Sequence, residues 1–490
     1  IQRSSVDLPE PDRPMIIRLI ILAGILISQG VLSQDKDLNL PSLGDRVSGV
    51  ISLEQEKLLG QSFVEQVYAQ APLINDPVIQ EYTELLIYRL SESSQVNDRD
   101  FTVILIDEKS LNAFAAPGGV IGVNGGLFLN AGNEAQLSSV LGHELAHLSQ
   151  RHFARRVLRG RDTNIASSLV MVSAIALALV SNNPTAFMTG PAALAQQQLR
   201  YSRIFEREAD RYGFNNLVAA GYDPTAMGQM FENMVKIRKL AGDNPPEFLL
   251  THPVSSSRVS DALNAADQIE FSGGKKNTLN FELVKGRLQA RYISLPPQSA
   301  VRYFEKLALD NPTVENQYAY VAALKLNGSF EKALSNLEKL LARHPKNLIL
   351  NITKSEIHLS NQNFDQASLQ IDRVLNISPG NYPASIIKSN ILSGQQRTIE
   401  AEEILRELLI TKNNDPHLWR LLSEIQRAGK NIVGYHLSRG EYYLLIGDLE
   451  NALNQFQLAL RLSVNSFQTS ELIMTKIKYA QDRLGQKRGF

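Results

Sequence analysis

Four prolines, Pro312, Pro345, Pro379 and Pro416, recur at intervals of 33, 34 and 37 residues, and Ala333, Ala367 and Ala401 recur every 34. The first two alanines sit in matching frames, Phe330-Glu331-Lys332-Ala333 and Phe364-Asp365-Gln366-Ala367. Leu449-Glu450-Asn451-Ala452 repeats the frame 51 residues beyond Ala401, one and a half periods on. A unit of this length cannot bury its apolar face alone, so successive units must stack. A 34-residue period with a small residue at a helix crossing and a proline closing each unit is the tetratricopeptide signature. The last 190 residues are therefore predicted to form an α-solenoid, with repeats from about Ser299 to about Ser463.

The region before the repeats has a different grain. Residues 50–95 read as two helices, broken over Ala71 to Pro77, with the second starting at Asp76-Pro77. Phe101 to Ile106 is β-branched and aromatic and reads as a strand. Asn112 to Asn124 reads as a second strand interrupted by Pro117-Gly118-Gly119, and helical periodicity returns from Asn133 to Arg159 and from Arg200 to Ala220. The fold class expected is α+β, mainly helical, with a small β-sheet. Near the N-terminus, Leu19 to Ile27 is apolar and preceded by Arg18, too short to span a bilayer but suited to the apolar part of a signal peptide. The division expected is a signal peptide over 15–33, a linker over 34–50, one domain over 51–295 and the repeats over 296–490. A second apolar run, 165–181, is just short of a membrane span. It reads as a buried or lid-like helix or as an element dipping into a membrane, so peripheral membrane association is one expectation.

The composition narrows the chemistry. Cysteine is absent, which excludes disulfides, thiolate metal sites and a cysteine nucleophile. Fifty Lys+Arg balance fifty Asp+Glu, so no basic field draws the chain to nucleic acid. Any metal must be held by carboxylates and by some of the eight histidines. Two of these lie in His143-Glu144-Leu145-Ala146-His147, an H-E-x-x-H pattern in a helical stretch. Histidines four apart share one helix face and can reach one tetrahedral zinc ion, and Glu144 is placed to take a proton from a water activated by the metal.

A catalytic zinc needs a third protein ligand. Glu206 and Asp210, in Glu206-Arg207-Glu208-Ala209-Asp210, are four apart on the next helix, so one can ligate while the other hydrogen-bonds a ligand histidine. Glu208 faces elsewhere and is expected to be solvated. His252, in Thr251-His252-Pro253, could reach the metal or a developing oxyanion. His152, five residues beyond His147, falls off the ligand face and is also expected to be solvated. Substrate would add as a β-strand along an exposed edge, for which Ala113 to Asn124 is the candidate.

These residues resemble the HtpX-type zinc metallopeptidases, which are gluzincins, and the similarity covers nearly the whole chain after the signal peptide. It is carried by APLINDP (71–77), LNAFAAPGG (111–119), EAQLSSVLGHELAHLSQRH (134–152), FEREADRYG (205–213), GYDPTAM (221–227) and THPVSSSRVSDA (251–262). The resemblance implies a zincin-like metallopeptidase domain holding one Zn2+ per chain. His143, His147 and Glu206 would be ligands, with Glu144 and Asp210 as catalytic partners. It also implies that His252 fills the open zinc position in a latent state and that the 165–200 region covers the active site. The implied setting is the periplasm, and the implied substrates are unfolded, misfolded or stalled outer-membrane proteins, with chaperone-like help to those still assembling. The outer-membrane β-barrel assembly machinery would be met through the repeats. The competing expectation is a chiefly non-proteolytic chaperone or scaffold acting through the repeat surface.

Overall fold

The structure, a computed structural model, describes residues 51–159, 202–242, 245–269, 274–463 and 466–488. The expected signal peptide, the linker and the apolar run 165–181 lie outside the described residues. Helix α1 (Leu53–Gln70) starts at Ser52, whose hydroxyl and the Gln55 side chain close a reciprocal capping box. Helix α2 (Pro77–Ser91) starts where the sequence places it, with the Asp76 carboxylate accepting from the amides of Val78 and Ile79.

Strands β1 (Thr102–Ile106), β2 (Ala113–Ala116) and β3 (Val120–Asn124) form one sheet in the order β1-β3-β2. β1 runs parallel to β3 and β2 antiparallel to it. The stretch read as one interrupted strand is thus a hairpin. Its tip is Pro117-Gly118-Gly119, where the two glycines take φ of +73° and +79°, a region costly to residues with a Cβ. This corrects the expected edge: β3 is the central strand and buried along its length, so of that stretch Ala113–Ala116 alone lies at a border of the sheet, β1 forming the other.

Helices α3 (Gly125–Asn130), α4 (Glu134–Ser149), α5 (His152–Arg159), α6 (Arg203–Ala219), α7 (Ala226–Ala241), α8 (Glu247–Thr251), α9 (Ser256–Asp267) and α10 (Leu279–Tyr292) follow. α4 is buried over nearly its whole length and packs on β2, α2, α6 and α7. Its first turn is pinned by the buried Glu134 carboxylate. That group accepts from the hydroxyls of Tyr82 (2.9 Å), Tyr222 (2.7 Å) and Thr278, and lies 3.0 Å from Lys275 Nζ. An anion there also complements the helix dipole.

The repeats comprise α11 (Pro297–Asp310), α12 (Val314–Leu326), α13 (Phe330–Arg343), α14 (Leu348–Ser360), α15 (Phe364–Ile377) and α16 (Tyr382–Gly394). They continue through α17 (Thr398–Thr411), α18 (Pro416–Ala428), α19 (Ile432–Leu445), α20 (Leu449–Leu462) and α21 (Phe467–Arg488). Successive helices start 16–18 residues apart, so the 51-residue step from Ala401 to Ala452 is three helices. All four frame alanines are fully buried. Ser355 Oγ donates to the Ala367 carbonyl at 2.8 Å, and Ser389 Oγ to that of Ala401 at 2.9 Å, the same bond one period later. The inter-helix turns keep the period strictly: Gly328, Gln362, Gln396 and Lys430, each 34 apart, take φ of +75°, +57°, +63° and +59°.

One hydrophobic core runs from Ile74 to Ile391, unbroken at residue 295. Across it, half-buried Arg287 on α10 bonds Glu356 on α14 at 2.6 and 2.9 Å and Asp76 at 2.5 Å. Farther along, Lys412 meets Glu84 of α2 at 2.6 Å, and Arg483 of α21 meets Glu65 of α1 at 2.5 Å. The described residues therefore pack as one unit. Among the described residues, no helix is long and apolar enough to cross a membrane.

Candidate metal centre

The centre is built where α4 crosses α6. The crossing is close because both helices carry glycine there. A Cβ on Gly213 would stand 2.9 Å from the Cα and N of His143, and one on Gly142 would stand 3.1 Å from the Gly213 carbonyl oxygen. With no side chain between the backbones, Glu206 on α6 reaches the two histidines of α4. His252 arrives from a third direction, at the C-terminal cap of α8, where its ring stacks on Phe248 at 4.7 Å.

Four donor atoms converge, one each from His143, His147, Glu206 and His252, all within 4.8 Å of one another and all on buried residues. His147 Nε2 lies 3.0 Å from His143 Nε2, which is 3.4 Å from His252 Nδ1. His252 Nδ1 is 3.0 Å from Glu206 Oε1, and His147 Nε2 is 3.6 Å from the same oxygen. Metal bonds of about 2.0–2.2 Å in a tetrahedron put neighbouring donors about 3.3–3.6 Å apart, so these spacings fit one zinc ion. Three imidazoles and a carboxylate, without thiolate, are a zinc donor set. Burying them together without a cation would leave lone pairs facing one another out of water.

Each ligand histidine of α4 is backed by a partner on its other nitrogen. His143 Nδ1 is 3.0 Å from Asp210 Oδ1. Asp210 is outside the donor cluster and touches it only through that ring. Its carboxylate is gripped by Arg258, whose Nε and Nη2 bond it at 2.7 Å each. Arg258 also lies 2.8 Å from Glu206 Oε2 and donates to the Pro253 carbonyl at 2.9 Å, tying both carboxylates to the segment that bears His252.

Behind His147 stands His152, Nδ1 to Nδ1 at 2.8 Å, with its Nε2 3.3 Å from Glu208 Oε2. This corrects two expectations, because His152 is fully buried and Glu208 is not a free solvated charge. Helical phase placed His152 off the ligand face only if α4 continued. Instead α4 ends at Ser149, Arg151 turns at φ +49°, and α5 begins at His152, which redirects the ring. Glu208, two residues from Glu206, points to the opposite side of α6, where His152 and Arg155 (3.0 Å) receive it.

The electrostatics suit ligation. Burial, with His143 and His252 beside it, holds His147 well below the ordinary imidazole range, so it stays in the neutral, metal-binding form. Burial pushes Glu206 up, but His252 and Arg258 outweigh it and keep the carboxylate ionised. For Asp210, burial is likewise outweighed, by His143 and Arg258, and its pKa falls to about 2. Glu144 is the exception. Burial raises its pKa against the pull of His252, His143 and the Ala115 amide of β2, and His252 Nε2 stands 3.7 Å away. Arg258, His152, Glu208 and the glycine pair carried no signal in the sequence beyond their nearness to the motifs.

Residues 77–266 match the model of peptidase family M48. The chain is 30% identical over 422 residues to the beta-barrel assembly-enhancing protease of Escherichia coli, covering 85% of each chain. It is 29% identical over 436 residues to the protein of the same name in Yersinia pestis, covering 87% of this chain and 88% of that one. A mitochondrial metalloendopeptidase, OMA1 of Arabidopsis thaliana, is 32% identical over 178 residues, 36% of this chain and 34% of its own.

Proposed function

From the membership of this chain in the beta-barrel assembly-enhancing proteases, zinc metallopeptidases of family M48, we propose that it is a periplasmic endopeptidase that removes misfolded or stalled outer-membrane proteins and assists the assembly of others. What supports the reading is the fully buried Glu144 carboxylate beside four converging zinc donors.

In this reading His143, His147 and Glu206 hold the zinc, and His252 completes the set at rest. Bound there, zinc supplies Lewis-acid chemistry, polarising a peptide carbonyl and acidifying water. Glu144 takes the proton of the attacking water on a carboxylate oxygen and delivers it to the departing amine nitrogen. Burial raises its pKa, which favours acceptance of that proton. Asp210 touches no reacting atom. It is a positioning residue, fixing the tautomer and angle of His143 as the His152–Glu208 pair does for His147. The substrate lies along β2, the sheet border that packs on α4. His252 makes the resting enzyme latent, and its withdrawal frees the fourth position for water.

Glu144→Gln should keep one zinc per chain and lose cleavage of unfolded casein by at least about a thousandfold; full activity with bound zinc would refute the assignment. The repeats recruit the β-barrel assembly machinery and unfolded clients in this reading. Envelope integrity restored by Glu144→Gln as well as by the parent would assign the main role to that surface.

A further inference from the structure

Beside the donor cluster lies a cavity of about 130 Å³ that no step above uses. It runs from His147 along Ala115 and Ala116 of β2 to the glycine tip of the hairpin, continuous with the border strand on which substrate would lie. Its opposite wall combines the start of α1, the 95–100 loop, the end of α4 and the start of α5, and brings Leu53, Val96, Leu148 and Phe153 onto one space. Of the charged groups there, Arg151 pairs with Glu56 (3.4 Å) and Lys57 with Asp98 (2.7 Å), and Asp100 adds a further carboxylate to the wall. Arg151 also donates to the Ile51 carbonyl at 2.7 Å, which holds the α4–α5 turn against α1 and closes that end. An acidic side chain entering would face Asp98 and Asp100, and a basic one would compete with Lys57 for them, whereas an apolar one fits both lining and size. A dry cavity of about 150 Å³ accepts a benzene ring.

We propose that this cavity is a specificity pocket, which takes one large apolar side chain, Leu, Met or Phe, of the substrate residue next to the scissile bond. The proposal rests on the peptidase reading above. A pocket of this kind suits the stated clients, because the strand faces of outer-membrane barrels are apolar on alternate residues and stay covered once the barrel is folded into a membrane. The pocket would thus read an apolar residue that only an unfolded or stalled chain presents. Val96 is the residue to alter, since it sits on a loop, away from the zinc donors and from Glu144.

The test is cleavage-site profiling of the zinc-loaded full chain on a proteome-derived peptide library. The wild type should show Leu, Met and Phe enriched, and Asp, Glu and Lys depleted about tenfold, at a single position adjoining the cut, the scale of discrimination a side-chain pocket achieves. Val96→Trp should shift that position alone toward Ala and Gly, and Val96→Lys should shift it toward Asp and Glu. A flat profile, or two variant profiles identical to the wild type, would overturn the pocket. A second readout needs no turnover. In the Glu144→Gln protein, a peptide carrying photo-leucine should photo-crosslink to Val96, Leu148 or Phe153, and adducts confined to other regions would overturn the pocket too. Absence of cutting by the His252→Ala protein as well, together with correct crosslinks, would fault the peptidase reading and leave the pocket standing.

Discussion

Replacing Gly213 by alanine tests how the centre is assembled. The added Cβ would stand 2.9 Å from two backbone atoms of His143 and 3.0 Å from the Gly142 carbonyl carbon, against ordinary contacts of 3.4–4 Å. No flexible side chain can yield, so α4 and α6 must part by about 0.5 Å. Overpacking of this kind costs about 1–3 kcal/mol, and alanine returns about 1 kcal/mol through helix propensity. The metal-free protein should therefore lose roughly 0–2 kcal/mol. The zinc site should suffer more. Glu206 rides on α6 two turns from Gly213, and ligand distances tolerate only about 0.2 Å. Zinc affinity should fall about 10–100-fold, the range for disturbed outer partners of a metal site. Competition with a chromogenic chelator measures the affinity, and thermal unfolding of metal-free protein measures the fold. Gly485→Ala on α21, where an added Cβ meets nothing within 4 Å, is the control and should only stabilise. Unchanged zinc affinity with a raised melting temperature in Gly213→Ala would show that the close crossing does not set the site.

The left-handed turns of the repeats predict that Gln396→Gly and Lys430→Gly raise stability by roughly 0–1 kcal/mol each, because the relief of backbone strain exceeds the glycine entropy cost; lower melting temperatures for both would contradict this. His152, held down to about 4 by burial against an ordinary 6.5, predicts acid sensitivity. Between those values the unfolded chain takes a proton that the folded one refuses. Stability of the metal-free protein should then fall as pH drops from 6.5 to 4, by up to about 3 kcal/mol in all, with no further loss from this group below 4. Urea unfolding across that range should show a shallower slope for His152→Gln than for wild type, the remainder coming from His147 and other buried histidines, and parallel curves would remove His152 as a source. Chelation of zinc should lower the melting temperature, since the metal binds the folded centre alone; an unchanged midpoint in excess chelator would argue against a zinc held by these four residues.

The parts of this protein legible in its sequence are those whose geometry is local. His143 and His147 share a face because a helix brings residues four apart together, and Ala333, Ala367 and Ala401 announce a helix crossing because the crossing recurs. The hairpin at Pro117-Gly118-Gly119 was half legible: the break showed, but not the return of the chain that makes β3 central. Arg258, His152 and Glu208 were not legible, since each owes its role to a neighbour on another helix. The turn at Arg151 shows why. One residue with φ +49° moves His152 from the outer face of an extended α4 to the back of His147. Gly142 and Gly213 read as ordinary helix glycines until the two backbones are seen in contact.

Zinc K-edge X-ray absorption on the resting protein and on His252→Ala tests the central claim most directly. Four-coordinate zinc is expected at rest, with three imidazole nitrogens at about 2.0–2.1 Å and one carboxylate oxygen at about 2.0–2.2 Å. One imidazole should be exchanged for a water oxygen in the variant, with proteolysis raised. Two imidazoles at rest, or a spectrum unmoved by the substitution, would contradict a centre closed by His252.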